Sequence, residues 1–254
     1  MTATPTLDTA HRDGLDLVTV HTRRFVDYVR SLAPGDLDLP VPGGDWTVGQ
    51  TVAHLESVYL RYSVDLRRSE RRNDLIAQND DDIAALGIDV DRATATMVDQ
   101  VAFLASIIDS VPPDRQFPFH GGQQVTLAAG WGNLLGELLA HGDDIVRATG
   151  RPFTIPGRDL EILWRFTAQV LQGWLRDEAD EVVETWHLRF PFGDVVLVLD
   201  HGTLRVATDS DLDVAEHHDL EIEDASEFTL AFPYRRRVIT DAQIAILASR
   251  FHDL

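Results

Sequence analysis

The 254-residue sequence contains no cysteine, which excludes disulfides, cysteine-type zinc fingers and a protein thiol nucleophile. Any thiol chemistry would have to use an external thiol. No apolar run approaches the roughly 20 residues that span a bilayer, and the first residues lack the pattern of a secretory signal. We therefore expect a cytoplasmic protein. Glycine-rich phosphate loops, G-x-S-x-G elbows and dinucleotide fingerprints are also absent.

Basic residues are scarce as well. The chain has 22 of them, all arginine, against 42 acidic residues, and its formal net charge is -20. A field of this sign repels nucleic acid and anionic membrane surfaces, so we expect neither as a partner. Hydrophobic residues make up 44% of the sequence, an ordinary share for a globular protein that buries a core.

Hydrophobic periodicity predicts four long amphipathic helices in the first part of the chain. They cover roughly residues 15–32, 47–68, 90–110 and 125–149. Four helices of this length with intervening loops make a four-helix bundle. The charge-dense stretch at 67–82 is predicted to be a solvated helix face or a connection rather than a binding patch.

Short sequence motifs predict where the second helix begins and where the fourth helix ends. Thr47 and Gln50 have the spacing of a capping box, which starts the second helix. Gly150 and Pro152 end the fourth helix. Glycines inside that helix each weaken it by roughly 1 kcal/mol relative to alanine, so they indicate a close approach by another part of the chain. These glycines are Gly130, Gly132 and Gly136.

The pattern changes in the last part of the chain. A further helix is predicted at about 158–178, and from Glu184 the segments WHLRF, DVVLVLD and TLRVATD predict a small β meander with a turn at His201 and Gly202. The segments DASEFTLAF and TDAQIAILASRF then predict two helices.

A capping box formed by Thr240 and Gln243 is expected to open the last helix. We therefore divide the chain into a helical bundle with its linking helix, residues 1–178, and a small α+β domain, residues 179–254.

Glu137 and His141 are two polar groups on an apolar face of the fourth helix, among Leu134, Ile145 and Ala148. A carboxylate buried there costs several kcal/mol unless it is paired or bound to a cation. Because residues four apart on a helix point the same way, the two side chains can reach one ion together.

A third ligand for that ion must come from another helix, and His54 lies about two turns into the second one. Two nitrogens and one carboxylate oxygen leave a coordination position open, as in catalytic zinc sites. Asp144 could be an outer acceptor that fixes a ring orientation. Spacing alone leaves an alternative, in which Glu137 and His141 form a simple ion pair and His54 is a hydrogen-bonded core histidine.

Two motifs carry a family resemblance. DWTVGQTVAHL and ELLAHGDDIVRATGRP resemble the DinB-like superfamily, and specifically its mycothiol-dependent maleylpyruvate isomerase branch, in which a glutamate such as Glu137 replaces one of three histidines. The resemblance covers about residues 10–155. The C-terminal segment is similar to the sterol-carrier-like domain that follows the bundle in that branch.

The resemblance implies that His54, Glu137 and His141 hold a divalent metal, with zinc as the expected ion, in a cleft between the two domains. It also implies mycothiol as a thiol cosubstrate. A metal makes a coordinating thiol give up its proton, which yields a thiolate nucleophile. Addition, bond rotation and elimination would isomerise a small electrophilic substrate, and addition alone would give a conjugate.

Three adjacent arginines, Arg235, Arg236 and Arg237, form the dense positive cluster of the second domain. They could bind an anionic cofactor or a dicarboxylate through bidentate contacts. We select Arg236 as the candidate catalytic and cofactor-binding residue. The alternative is a solvated loop or strand edge.

Other functions stay open at this point. The chain could be a non-catalytic protein that encloses an apolar ligand, or a metal-dependent hydrolase that activates water. His217 and His218 are predicted to form a surface pair in a loop-like stretch without matching metal ligands, and His120 is placed on a loop near the mouth of the bundle. The tryptophans are interpreted as core anchors, namely Trp46, Trp131, Trp164, Trp174 and Trp186.

Overall fold

The computed structural model describes residues 6–65, 67–207 and 217–252. Its helices are α1 (Leu7–Arg30), α2 (Val48–Arg61), α3 (Arg72–Leu86), α4 (Val90–Ile107), α5 (Leu127–Thr149), α6 (Glu161–Leu171), α7 (Ala225–Ala231) and α8 (Ala242–Ser249). Its strands are β1 (Gln116–Pro118), β2 (Gln124–Thr126), β3 (Val183–Phe190), β4 (Gly193–Asp200), β5 (Thr203–Val206) and β6 (His217–Glu221).

The predicted four-helix bundle is confirmed. Helices α1 and α2 each pack against both α4 and α5. Each helix contributes fully buried side chains to the shared core, for example Phe25, Leu55, Met97 and Leu134. Burying a side chain of this size stabilises the fold by about 1.5–3 kcal/mol, so the apolar faces that gave the periodic signal also hold the helices together.

The capping box that starts α2 is confirmed. The Thr47 hydroxyl accepts a hydrogen bond from the Gln50 amide at 3.3 Å, and Gln50 Oε1 accepts one from the Thr47 amide at 2.8 Å. The predicted end near Arg68 is wrong, because α2 ends at Arg61. The Arg68 guanidinium turns back and donates to the Arg61 carbonyl, which satisfies the helix end.

The charge-dense stretch 67–82 contains much of a helix, α3, that the periodicity did not predict. Helix α3 packs on α2. Asp82 is buried and accepts hydrogen bonds from Arg61 and Arg67, each at 2.7 Å. Charges that look solvated in the sequence are therefore partly used inside the fold.

Helix α5 follows a short β1–β2 hairpin and ends at Gly150, as predicted, with the glycine in the left-handed conformation. Its glycines allow the close approach that the sequence indicated. A Cβ at Gly132 would lie 2.6 Å from the Leu163 Cα, because α6 crosses α5 at this point. Helix α6 is shorter than predicted, and single-turn helices flank it at Gly157–Leu160 and Gln172–Trp174.

The C-terminal part is a small α+β structure, as expected. Strands β3, β4 and β5 form the predicted antiparallel meander in a sheet of order β5-β4-β3-β6. Residues 217–221, predicted to be loop-like, instead form β6, which pairs in parallel with β3. The cap of α8 is Asp241 rather than Thr240, because the Asp241 carboxylate accepts from the amides of Gln243 and Ile244.

Helix α6 joins the two parts, since it packs on α5 on one side and on β4 and β5 on the other. One continuous apolar core runs from the bundle through Trp164 to the sheet. The division at residues 178 and 179 stays a prediction. In the described part of the chain, no helix has the length and apolar character needed to cross a membrane.

Candidate metal centre and its cavity

The structure brings His54, Glu137 and His141 together. Helix α2 supplies His54, and one face of α5 supplies the other two side chains. His141 Nε2 lies 3.3 Å from Glu137 Oε2, and His54 Nε2 lies 3.8 Å from the same oxygen. The capping box and the helix periods thus aim two imidazoles at one carboxylate.

These groups are largely buried. His54 is 4% exposed and His141 is 6% exposed, while 21% of the Glu137 side chain is exposed. The indole of Trp46 covers His54 with 4.8 Å between ring centroids. Trp46 is half-buried, so the prediction that it is a core anchor is wrong, and it forms a wall of the site instead.

Burial and pairing shift the protonation of all three groups. Burial lowers the pKa of His54 to about 4. Burial also acts to raise the pKa of Glu137, but hydrogen bonds from His141 and His54 outweigh it and hold this pKa well below its usual range. For His141, contacts with Asp144 and Glu137 outweigh burial and raise the pKa. At neutral pH His54 is therefore neutral and Glu137 is anionic.

The donor set fits a divalent metal. Each residue offers one ligand atom, and the three atoms lie within 4.8 Å of one another. Ligands with bonds of about 2.1 Å in tetrahedral geometry lie about 3.4 Å apart, close to the 3.3 and 3.8 Å seen here. Two imidazole nitrogens and a carboxylate are typical zinc donors. Three protein donors would leave a metal with an open coordination position, and all three residues line the cavity.

His141 is held by a chain of contacts that runs through Asp144 to Arg236. Its Nδ1 lies 3.1 Å from Asp144 Oδ2, which is the contact expected of Asp144. Arg236 reaches the same carboxylate, with Nε 2.8 Å from Oδ1. A hydrogen-bonded partner on the far nitrogen orients a ligating histidine and fixes its tautomer.

The three adjacent arginines of the C-terminal part make different contacts. Arg236 lies beside Asp144 and lines the cavity, where its Nη1 also donates to the Tyr234 carbonyl at 2.9 Å. Arg237 instead pairs with Asp143 at 2.6 Å, and the Arg235 guanidinium lies over the Phe232 ring at 5.8 Å. Arg236 is thus the member of the cluster that reaches the candidate site.

A cavity of about 670 Å³ opens from the metal centre and runs between α2, α3, α4 and the β1–β2 hairpin. His120, placed on a loop by the sequence, is buried in its wall. Trp174 also lines it and is half-buried, so it is not the core anchor that was predicted. Trp131, Trp164 and Trp186 are confirmed as core residues.

Sequence reasoning missed Tyr234. Its ring is buried, its hydroxyl lies over Gly136, and a Cβ at that glycine would overlap the phenol oxygen. Burial, with the nearby Glu137 charge, raises the pKa of Tyr234 well above its ordinary value, so the phenol stays protonated. Gly136 was the signal that something approaches the helix here, but it did not identify the tyrosine.

A second group of possible ligands lies on the sheet surface. His187, His217 and Asp219 bring donor atoms within 4.8 Å, because β3 and β6 are neighbours. The prediction that the His217 pair has no matching ligands is therefore wrong. These three residues are more exposed than His54, Glu137 and His141. Asp219 already forms an ion pair with Arg189 at 2.7 Å. A surface ion-pair network accounts for these contacts.

Comparison with protein-family models gives a match over the first part of the chain. The family model described as "Mycothiol maleylpyruvate isomerase N-terminal domain" matches residues 18–146, a range that contains His54, Glu137 and His141. The comparison with curated proteins and the comparison with solved structures found no match. The matched range covers half of the chain, and the chain belongs to the mycothiol maleylpyruvate isomerase N-terminal domain family.

Proposed function

We propose that this protein is a metal-dependent thiol transferase or isomerase that uses mycothiol as its thiol cosubstrate. The observation that carries the proposal is the convergence of His54, Glu137 and His141 on one side of a large cavity. These residues would hold the divalent cation, with zinc as the expected ion because of the donor set. Membership of the family supports mycothiol as the thiol.

A divalent cation bound there would make a coordinated thiol give up its proton at neutral pH. The chain's own residues prepare the site for this chemistry. His54 stays neutral because burial lowers its pKa to about 4, so its ring nitrogen keeps a lone pair. Asp144 holds the His141 ring, and Arg236 holds Asp144, so Arg236 acts as a positioning residue.

The reaction we propose begins when the thiolate sulfur adds to a carbon of an activated double bond. The electron pair of that bond moves to the conjugated carbonyl oxygen and forms an enolate. Tyr234 lines the same cavity, and its hydroxyl would donate a hydrogen bond to that oxygen. After rotation about the former double bond, the enolate electron pair re-forms that bond as the C–S bond breaks, and the thiolate leaves a geometric isomer. Alternatively, the carbon next to the carbonyl takes a proton from solvent, to which the thiol gave its own, and the thiol conjugate forms.

Metal analysis tests the foundation of this proposal. We expect protein purified without added metal to contain close to one divalent ion per chain, and His54→Ala and Glu137→Gln to lose it. The matched control is His217→Ala, which removes a ligand from the surface group and should keep the metal. Metal-free parent protein, or loss of metal only in the control, would contradict the proposal.

Thiol chemistry is tested separately. Mycothiol should bind the metal-loaded protein with an increase in thiolate absorbance, and should not do so in Glu137→Gln. Incubation with a panel of electrophiles should then give conjugates or isomers that depend on metal. Turnover with water alone would favour a hydrolase. Binding of apolar ligands without any turnover would favour a non-catalytic binding protein.

A further inference from the structure

We infer that the acceptor of the thiol chemistry proposed above is an extended apolar electrophile, such as an alkyl or aryl enone, rather than a small dicarboxylate. The cavity wall away from the metal centre is mainly aliphatic and aromatic. It is built by α3, α4 and the β1–β2 hairpin and includes Leu75, Ile76, Phe103, Leu104, Ile107 and Phe117.

The size of the cavity favours an extended ligand. Its volume of about 670 Å³ falls within the range of about 300–1,000 Å³ that is typical of drug-sized ligands. A dicarboxylate of a few carbons would fill a small part of it and leave the apolar wall in contact with water. Ile76 and Phe103 line the cavity and are 46% and 47% exposed, so an apolar ligand would cover surface that water now contacts.

The charges of the wall disfavour a dianion. Among the residues that the structure describes, the arginines of the wall are Arg61, Arg68 and Arg236, and each already has partners. Arg61 pairs with the buried Asp82, and Arg68 donates to main-chain carbonyls that include that of Pro118.

Arg236 pairs with a carboxylate as Arg61 does, in this case with Asp144. A substrate carboxylate that took Arg61 or Arg236 would leave the buried Asp82 or Asp144 without that partner, which costs several kcal/mol. Arg68 could meet one carboxylate without this cost, because its partners are main-chain carbonyls, but a dianion needs a second cation. The net charge of -20 adds a long-range repulsion against any anion. A neutral enone neither breaks an ion pair nor is repelled by the net negative charge. Its one carbonyl oxygen can still accept a hydrogen bond from Tyr234.

Binding of unreactive analogues provides the test. Linear methyl ketones from butanone to dodecanone and the dicarboxylates maleate and succinate are titrated into metal-loaded and metal-free protein by calorimetry. We expect the ketone dissociation constant to fall roughly three- to fourfold per methylene, with or without metal. Dicarboxylates should bind metal-free protein at least about tenfold more weakly than the longest ketones. No dependence on chain length, or tighter binding of dicarboxylates to metal-free protein, would overturn the assignment.

A charge placed in the wall sharpens the test. Phe103→Arg should weaken binding of the long ketones about fivefold or more and strengthen binding of maleate. Ile246→Arg is the matched control, because Ile246 is 42% exposed on α8 and does not line the cavity. Equal effects of the two variants on ketone binding would contradict the assignment.

Turnover distinguishes this assignment from the proposed function. Chain-length-dependent binding without any thiol transfer would overturn the proposed function and leave the ligand class in place. Thiol transfer to maleate-type acceptors in preference to alkyl enones would overturn the assigned ligand class and leave the proposed function in place.

Discussion

The guanidinium Nε of Arg236 lies 2.8 Å from the Asp144 carboxylate, although the two residues are 92 positions apart in the sequence. This contact ties the C-terminal part of the chain to the helix that carries Glu137 and His141. Because Asp144 also contacts His141 Nδ1, a residue from the second part of the chain supports the candidate metal centre without touching its donor atoms.

The first prediction concerns the contacts that link Arg236, Asp144 and His141. Asp144→Ala should weaken zinc binding roughly 10- to 100-fold, since the His141 ring loses the acceptor that orients it. Arg236→Gln should have a smaller effect in the same direction. The neighbouring pair provides matched controls, because Asp143 and Arg237 form a similar ion pair that does not reach His141. Competition with a zinc chelator measures the affinities, and equal losses in Asp143→Ala would contradict the prediction.

The second prediction concerns the Tyr234 hydroxyl. If it stabilises negative charge on the acceptor oxygen, Tyr234→Phe should lower kcat roughly 100-fold and leave metal content unchanged. KM should change little, because the buried ring still packs in place. Steady-state kinetics with an enone and mycothiol measure the effect. An unchanged kcat would remove Tyr234 from the mechanism.

The third prediction tests why position 136 is a glycine. Gly136→Ala should lower the free energy of unfolding by about 1–3 kcal/mol, because the new Cβ overlaps the Tyr234 hydroxyl. The double variant with Tyr234→Phe should recover part of this loss. Gly35→Ala is the control, since no atom lies within 4 Å of a Cβ at that position. Urea unfolding measures these variants together with Tyr234→Phe alone and the parent protein, and additive losses in the double variant would contradict the explanation.

The parts that the sequence predicted well depend on local contacts. The Thr47 capping box, the helix end at Gly150 and the shared direction of Glu137 and His141 involve residues within a few positions of each other. Hydrophobic periodicity likewise predicted the helices of the bundle, because each helix buries one face. The convergence of His54 on the other two donors rested on the family resemblance, since spacing within one helix cannot show which residue of another helix approaches it.

The parts that were missed depend on contacts between distant segments. Strand β6 was predicted to be a loop because its sequence, HHDLE, is polar, and its pairing with β3 stabilises it nonetheless. For the α3 region the sequence predicted only a solvated helix face or a connection, because charges interrupt its period. The buried Asp82 nevertheless pairs with Arg61 and Arg67. Tyr234 and the choice of Arg236 among three arginines follow from the packing of the C-terminal part on α5, which no local pattern encodes.

The fourth prediction concerns a buried ion pair on the sheet. Glu184 on β3 is 0% exposed, and Arg250 holds it with two contacts of 3.0 and 3.1 Å. Arg250→Met leaves a buried carboxylate without its main partner and should cost roughly 3–5 kcal/mol. The double variant with Glu184→Leu should recover much of that loss, because it removes the buried charge.

Arg189→Met is the control for this pair. Arg189 is 44% exposed and pairs with the exposed Asp219, so its loss should cost less than about 1 kcal/mol. Urea unfolding at neutral pH measures each variant. Similar costs for the two arginines would show that burial of Glu184 does not matter.

The fifth prediction is a pH dependence of stability that originates at His120. Burial, assisted by Arg61 and Arg68, lowers the pKa of His120 to about 4 in the folded protein, against about 6.5 in the unfolded chain. Between these values the unfolded state binds more protons, so the free energy of unfolding must fall as pH falls from about 6.5 to about 4. Protonation would also break the hydrogen bond that His120 Nδ1 accepts from the Ser69 amide at 3.2 Å.

The full effect is on the order of 3 kcal/mol, since each pKa unit corresponds to about 1.4 kcal/mol. His120→Gln cannot titrate, so the stability advantage of the parent protein over this variant should shrink as pH is lowered through that window. Gln243→Ala, at an exposed position without a titratable side chain, should keep a constant difference from the parent across that window. Urea unfolding at several pH values measures both differences, and a parent advantage over His120→Gln that stays constant or grows toward acid would show that His120 is not buried in its neutral form.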